Sequence, residues 1–167
     1  MKNKGFSLIE LLVVVALIGI LAAVGVLMYN GYISKARINA TIKQHNSIFE
    51  MIELKMTECR LRSNSITLKN FSGVDTTFDC TESDLGIWRN AFFNHFMGSS
   101  LGNNPYNTPN PWDVNNNEPT CCMPYNGNIW ALGITSIGTS GNNIIVYTDI
   151  DGTEANRLQD SIKGYGK

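Results

Sequence analysis

Charge is scarce in this chain. Only 16% of its 167 residues are charged, against the usual ~25%. The formal net charge is −1 and no long basic run is present, which disfavours duplex DNA binding driven by phosphate neutralisation. No C-x2-C pair occurs among the four cysteines, and there are only two histidines, His45 and His95; both facts argue against structural zinc. Gly-x-Ser-x-Gly, His-Glu-x-x-His and a glycine-rich phosphate loop are all missing. The chain therefore reads as a non-enzyme with no small-molecule substrate. Proline is absent from Phe6 to Arg60, so nothing there breaks a helix outright. The most informative absence lies between Phe6 and Met28, where 23 residues hold a single charge, Glu10. A wholly soluble cytosolic protein does not carry such a block.

What fills that block is aliphatic. At ~1.5 Å per residue a helix of this length reaches about 34 Å, enough to cross a ~30 Å hydrocarbon layer. Lys2 and Lys4 precede it, so the amino end is expected to stay cytoplasmic and the rest of the chain to be exported. A cleaved secretory signal would need a shorter apolar core followed by a small-x-small site. Here Ala22-Ala23 lies inside the core.

The helical pattern continues to about Arg60, for a rod of roughly 80 Å. Beyond Tyr32, the residues Ile38, Ile42, His45, Phe49, Ile52, Met56 and Cys59 recur at spacings of four and three. This is the mark of one buried face, and His45 on it is expected to be a core histidine. Ser65–Lys69 reads as a short strand, followed by a turn at Ser72-Gly73. Thr81-Glu82-Ser83-Asp84 supplies capping chemistry before Leu85, Trp88, Phe92 and Phe96, a short amphipathic helix. Residues 99–120 form turns throughout, with seven asparagines between Asn103 and Asn117, and read as an ordered surface excursion. A hairpin is expected at the end, from Asn128–Ile137 and Ile144–Ile150 with the turn at 138–143. Cys121–Tyr125 is a further edge segment. The fold class is α+β: a long amino-terminal helix, membrane-spanning in its first half, packed through its second half on a small antiparallel sheet. The divisions are a leader at 1–5, a membrane and assembly helix at 6–28, its amphipathic continuation at 29–60 and a globular head at 61–167.

The junction Lys4-Gly5-Phe6-Ser7-Leu8-Ile9-Glu10-Leu11-Leu12 carries the most specific signal. With Ala16-Leu17-Ile18-Gly19-Ile20-Leu21-Ala22-Ala23 and Tyr29-x-x-Tyr32, it resembles the amino terminus of type IV prepilins. These belong to the type IV filament superfamily, which also includes type II secretion pseudopilins. The resemblance covers about residues 2–37, a fifth of the chain. It implies cleavage after Gly5 by a prepilin peptidase, N-methylation of Phe6, and a role for Glu10 in filament assembly. It further implies partners: copies of the chain itself, the inner membrane and the pilus assembly machinery, with an extracellular pilus as the destination. Adhesion, motility and DNA uptake are all open as roles, and a secretion pseudopilin or an anchored periplasmic binding module are the alternatives. One position departs from the family, which commonly has proline two residues ahead of the first tyrosine; here Leu27 stands there, and Gly19 and Gly25 are the helix's weak points.

Physics independently singles out Glu10. A charged side chain costs ~2.5–3.5 kcal/mol at a membrane helix centre and less toward an end, so an intramembrane carboxylate is a functional suspect. The cysteines Cys59, Cys80, Cys121 and Cys122 all fall on the exported, oxidising side, where two disulfides are expected. An extended chain at 121–122 would point its two side chains to opposite faces, one to Cys59 and the other to Cys80. Cys59–Cys80 with Cys121–Cys122 is the alternative connectivity. No cofactor is expected. Asp149-Ile150-Asp151-Gly152 offers a weak calcium alternative through Asp149 and Asp151, against the simpler reading of a turn.

Overall fold

The computed structural model describes residues 7–61, 64–99, 105–106, 122–124, 132–153 and 156–164. Its first element is helix α1, Leu8–Leu61, 54 residues long, continuous through Gly19 and Gly25. Its start is closed by a reciprocal pair of bonds. The Ser7 N–H donates to Glu10 Oε2 at 2.8 Å and the Glu10 N–H donates to Ser7 Oγ at 3.3 Å, which is a capping box.

The chain divides into two compact units, residues 1–36 and 37–167. In the first, α1 contains an 18-residue window of mean hydropathy 3.1 with at most two charged residues, none of it buried. By length and composition this segment is able to cross a membrane.

In the second unit α1 is one-sided. Thr41, Gln44, His45, Ile48, Ile52, Met56 and Cys59 are buried. The expected members Ile38, Ile42 and Phe49 are only half-buried. At ~100° per residue, Ile42 and Phe49 lie about 80–100° around the helix from Thr41 and therefore flank the contact. Thr41 takes the centre of the buried face and Gln44 one of its edges, positions that hydropathy assigned to apolar residues.

After α1 comes a two-stranded antiparallel sheet, β1 (Ser65–Lys69) and β2 (Asp75–Asp79), with Ser65 opposite Asp79 and Lys69 opposite Asp75. β1 falls where the sequence places it. β2 has no hydrophobic alternation to announce it, since only Phe78 is apolar in Asp75–Asp79. The connecting turn is built by Asn70, whose Oδ1 accepts from the N–H groups of Ser72 and Val74, with Gly73 at φ +78°.

Helix α2, Leu85–Gly98, starts on Asp84, whose carboxylate accepts from the Gly86 N–H. Trp88, Phe92 and Phe96 are buried as their spacing requires, and the Trp88 ring donates through Nε1 to the Glu82 carbonyl at 2.9 Å. Phe78 packs on Trp88 with ring centroids 4.5 Å apart. Tied in this way, the hairpin and α2 close over α1 through Ile66, Leu68, Ile52 and Met56.

The second sheet has the order β3-β4-β5-β6, from β3 (Cys122–Pro124), β4 (Thr135–Ser140), β5 (Asn143–Asp149) and β6 (Arg157–Lys163). β4, β5 and β6 are antiparallel neighbours, whereas β3 joins the edge parallel to β4, so the sheet is not purely antiparallel. The hairpin turn is tighter than the expected 138–143. β4 runs to Ser140 and β5 starts at Asn143, leaving Gly141-Asn142, with Gly141 at φ +56°, a conformation only glycine adopts freely. The expected strand start at Asn128 and the asparagine-rich excursion lie outside the described residues, apart from Pro105 and Tyr106. The Tyr106 hydroxyl donates to the Ile150 carbonyl.

Candidate functional site

Gly5 and Phe6 lie outside the described residues. Their neighbour Glu10 stands in the first turn of α1, exposed and engaged by Ser7. The carboxylate thus already holds one backbone donor within its own chain. Charge-assisted bonds of this kind are roughly twice as strong as neutral ones, and an acid in the first turn also favours the helix dipole. Ser7-x-x-Glu10 is a capping signature legible in the sequence itself.

His45 is fully buried. Its Nε2 lies 2.9 Å from Asp160 Oδ2 on β6, and its Nδ1 lies 2.8 Å from Thr148 Oγ1 on β5. Thr148 in turn meets Thr135 Oγ1 on β4 at 2.8 Å. An ionised carboxylate only accepts, which assigns the Nε2 proton to the Asp160 bond. The imidazole therefore ties α1 to two adjacent strands directly, and Thr148 passes the connection to a third. The order Thr-His-Asp is that of a nucleophile with its base, but His45 and Thr148 are both completely buried, and the arrangement acts as a brace. Asp160 also hides β6 in the sequence, since a carboxylate occupies the inward position between Leu158 and Ile162.

His95 on α2 makes a second polar tie. Its Nδ1 accepts from the Lys69 N–H at 2.8 Å, while its buried Nε2 has no partner among the described residues. Burial pushes its pKa below the ordinary histidine value, helped by Lys55 and Lys69 and opposed by Asp75.

The disulfide pairing corrects the expectation. Cys59 bonds Cys80, with Cα atoms 5.3 Å apart, so neither reaches Cys121 or Cys122. The cause is β2. It returns the chain antiparallel to β1 and delivers Cys80 beside the end of α1, where the Cys80 N–H donates to the Asn64 carbonyl at 2.9 Å. Cys122 is fully buried and disulfide-bonded, and Cys121 lies outside the described residues.

Asp149 and Asp151 serve a turn. Asp149 Oδ1 accepts from the Gly152 N–H. Asp151 accepts from the Thr153 N–H and hydroxyl and from Asn156 Nδ2, bonds that hold its carboxyl below the usual range. Among the described residues no group of three or more His, Cys, Asp or Glu side chains is arranged to hold a metal ion.

These features define a class: a chain with an exposed apolar amino-terminal helix that opens on a serine–glutamate cap and continues into a disulfide-tied α+β head. Comparison with known proteins places that amino terminus. The prokaryotic N-terminal methylation motif matches residues 1–26, and the chain resembles the type IV pilins. It is 44% identical over 52 residues to Fimbrial protein EcpB of Eikenella corrodens, covering 31% of this chain and 33% of the relative. It is 32% identical over 88 residues to Type IV major fimbrial protein FimA of Dichelobacter nodosus, covering 49% and 55%. With a Fimbrial protein of Pseudomonas aeruginosa it shares 36% identity over 85 residues, covering 50% and 52%. The chain thus spans a third to just over half the length of these relatives. No solved structure matches it.

Proposed function

We propose that this chain is the structural subunit of a bacterial type IV pilus. The amino-terminal methylation motif, abutting a helix that is apolar on all sides and bears one carboxylate in its first turn, carries this reading. Prepilin peptidase cuts between Gly5 and Phe6, and the new Phe6 amine is methylated. Until assembly the subunit stays in the inner membrane through residues 6–28; afterwards it is part of an extracellular filament. Assembly exchanges partners at Glu10: the carboxylate leaves the Ser7 N–H and pairs with the Phe6 amine of a neighbouring subunit. An ion pair formed away from water requires both members, because a lone buried charge is strongly disfavoured. The named relatives are fimbrial proteins, which favours the pilus over the secretion pseudopilus.

The test is mass analysis of the amino-terminal peptide from envelope and sheared-filament fractions. A peptide starting at Phe6 with one added methyl group is expected in both. A mature chain retaining Met1, or one starting near Tyr29, refutes the processing, and absence of the chain from sheared filaments refutes the assembly.

A further inference from the structure

We infer that Tyr29, Tyr32 and Lys35 form a one-sided collar that binds the phosphate headgroups of the periplasmic membrane leaflet and sets the depth of the unassembled subunit. The inference rests on the membrane-held stage proposed above.

Length supplies the first argument. Leu8–Met28 is 21 residues of helix, about 31 Å at ~1.5 Å per residue, which matches a hydrocarbon layer of ~30 Å. Tyr29 therefore stands where hydrocarbon ends. From Tyr29 to Lys35 the helix rises about 9 Å, close to the ~5–8 Å of interface on each side of a bilayer. The three residues follow at i, i+3 and i+6, so they share an arc of about 120°. Asn30, Gly31, Ile33 and Ser34 fill the rest of these two turns, with Ile33 the one apolar side chain among them and half-buried.

Side-chain chemistry supplies the second. Tyr29 is 64% exposed and Tyr32 71% exposed; their rings are apolar with a polar tip, the combination enriched at membrane interfaces. Lys35 is exposed, and among the described residues it is in no ion pair. From Leu11 to Phe49 the only charged residues are Lys35, Arg37 and Lys43, and the first acid is Glu50. A cationic, aromatic-flanked helix face at the edge of an apolar span complements an anionic lipid surface. With the collar seated, Glu10 is held near the cytoplasmic edge, and drawing the subunit outward into a filament requires these headgroup contacts to break.

The experiment uses the full chain in vesicles of phosphatidylcholine and phosphatidylglycerol, with lipids brominated either near the headgroup or near the chain end. Tyr32→Trp reports the depth of position 32, after subtraction of the signal from the parent chain. Quenching about twofold stronger from the near-headgroup bromines is expected. Lys35→Glu in the reporter chain should reduce that quenching about twofold, while Lys35→Arg retains it. Stronger quenching from the chain-end bromines overturns the collar, as does indifference to Lys35→Glu. Flotation with vesicles but no quenching by either lipid also overturns it and assigns this face to protein or water. A chain that fails to float with vesicles overturns the membrane-held stage itself, so the two failures are distinct.

Discussion

Gly98 closes α2 and touches the β1–β2 turn, and Gly98→Ala is the most exposing perturbation of the head. A Cβ there would lie 1.9 Å from the Asn70 carbonyl oxygen, 2.8 Å from the Gly73 nitrogen and 3.1 Å from the Asn70 carbonyl carbon. All three are backbone atoms, so no side-chain rotation relieves the clash. Restoring ordinary contact moves the turn by about 1.5 Å, and overpacking of this kind costs roughly 1–3 kcal/mol. The shift also pulls on the Lys69 N–H to His95 Nδ1 bond, made one residue before Asn70. Since His95 Nε2 has no partner among the described residues, losing this bond leaves both ring nitrogens without a described partner, worth about 1–3 kcal/mol more. Alanine's helix propensity opposes these terms by at most ~1 kcal/mol. The net is about 3 kcal/mol of destabilisation, or a Tm lower by roughly 9–18 °C for a domain of this size. Thermal unfolding followed by near-ultraviolet dichroism measures it. An unchanged or raised Tm would show that the turn yields freely and that propensity decides, and the reasoning would fail.

Three further outcomes are expected. Peptide mapping without reductant should link the peptides of Cys59 and Cys80 to each other alone, and Cys59→Ser with Cys80→Ser should destabilise the head by about 3 kcal/mol, the chain-entropy value for a loop of this size; a link from either to the 121–122 peptide contradicts the pairing. Because the folded pKa of His95 is depressed, its neutral form carries the stability, which is full above the unfolded value of ~6.5 and is lost as pH falls through the folded one. Tm should therefore drop in mild acid, and His95→Asn, which keeps an acceptor for Lys69 without titrating there, should flatten that drop; identical pH profiles for the two chains argue against His95 as the cause. Glu10→Val should leave the subunit in the membrane fraction while cutting its yield in sheared filaments about tenfold or more, and Ser7→Ala, which removes only the hydroxyl half of the cap and keeps the residue-7 N–H to Glu10, should act less severely; wild-type filament yield from Glu10→Val makes the carboxylate dispensable.

Local rules were enough for much of this protein. Twenty-three residues with one charge specify a membrane-compatible helix, because length and apolarity alone set that property. The Ser7-x-x-Glu10 cap, the Asp84 cap, the Trp88-Phe92-Phe96 stripe and the Ser65–Lys69 strand are likewise written within a few neighbouring residues. Tertiary structure decided what depends on distant partners. Asp75–Asp79 has too little apolar alternation to announce a strand, and it forms one because β1 offers its edge; that pairing then carries Cys80 to Cys59. Asp160 breaks the alternation of β6 because it answers a histidine 115 positions away. Thr41 and Gln44 occupy the buried face of α1, and Ile42 its flank, because the rotation of the helix against the sheet is set by total packing and by the His45 brace. Periodicity can show that a helix has a buried face, but the surface it meets determines where the centre of that face lies.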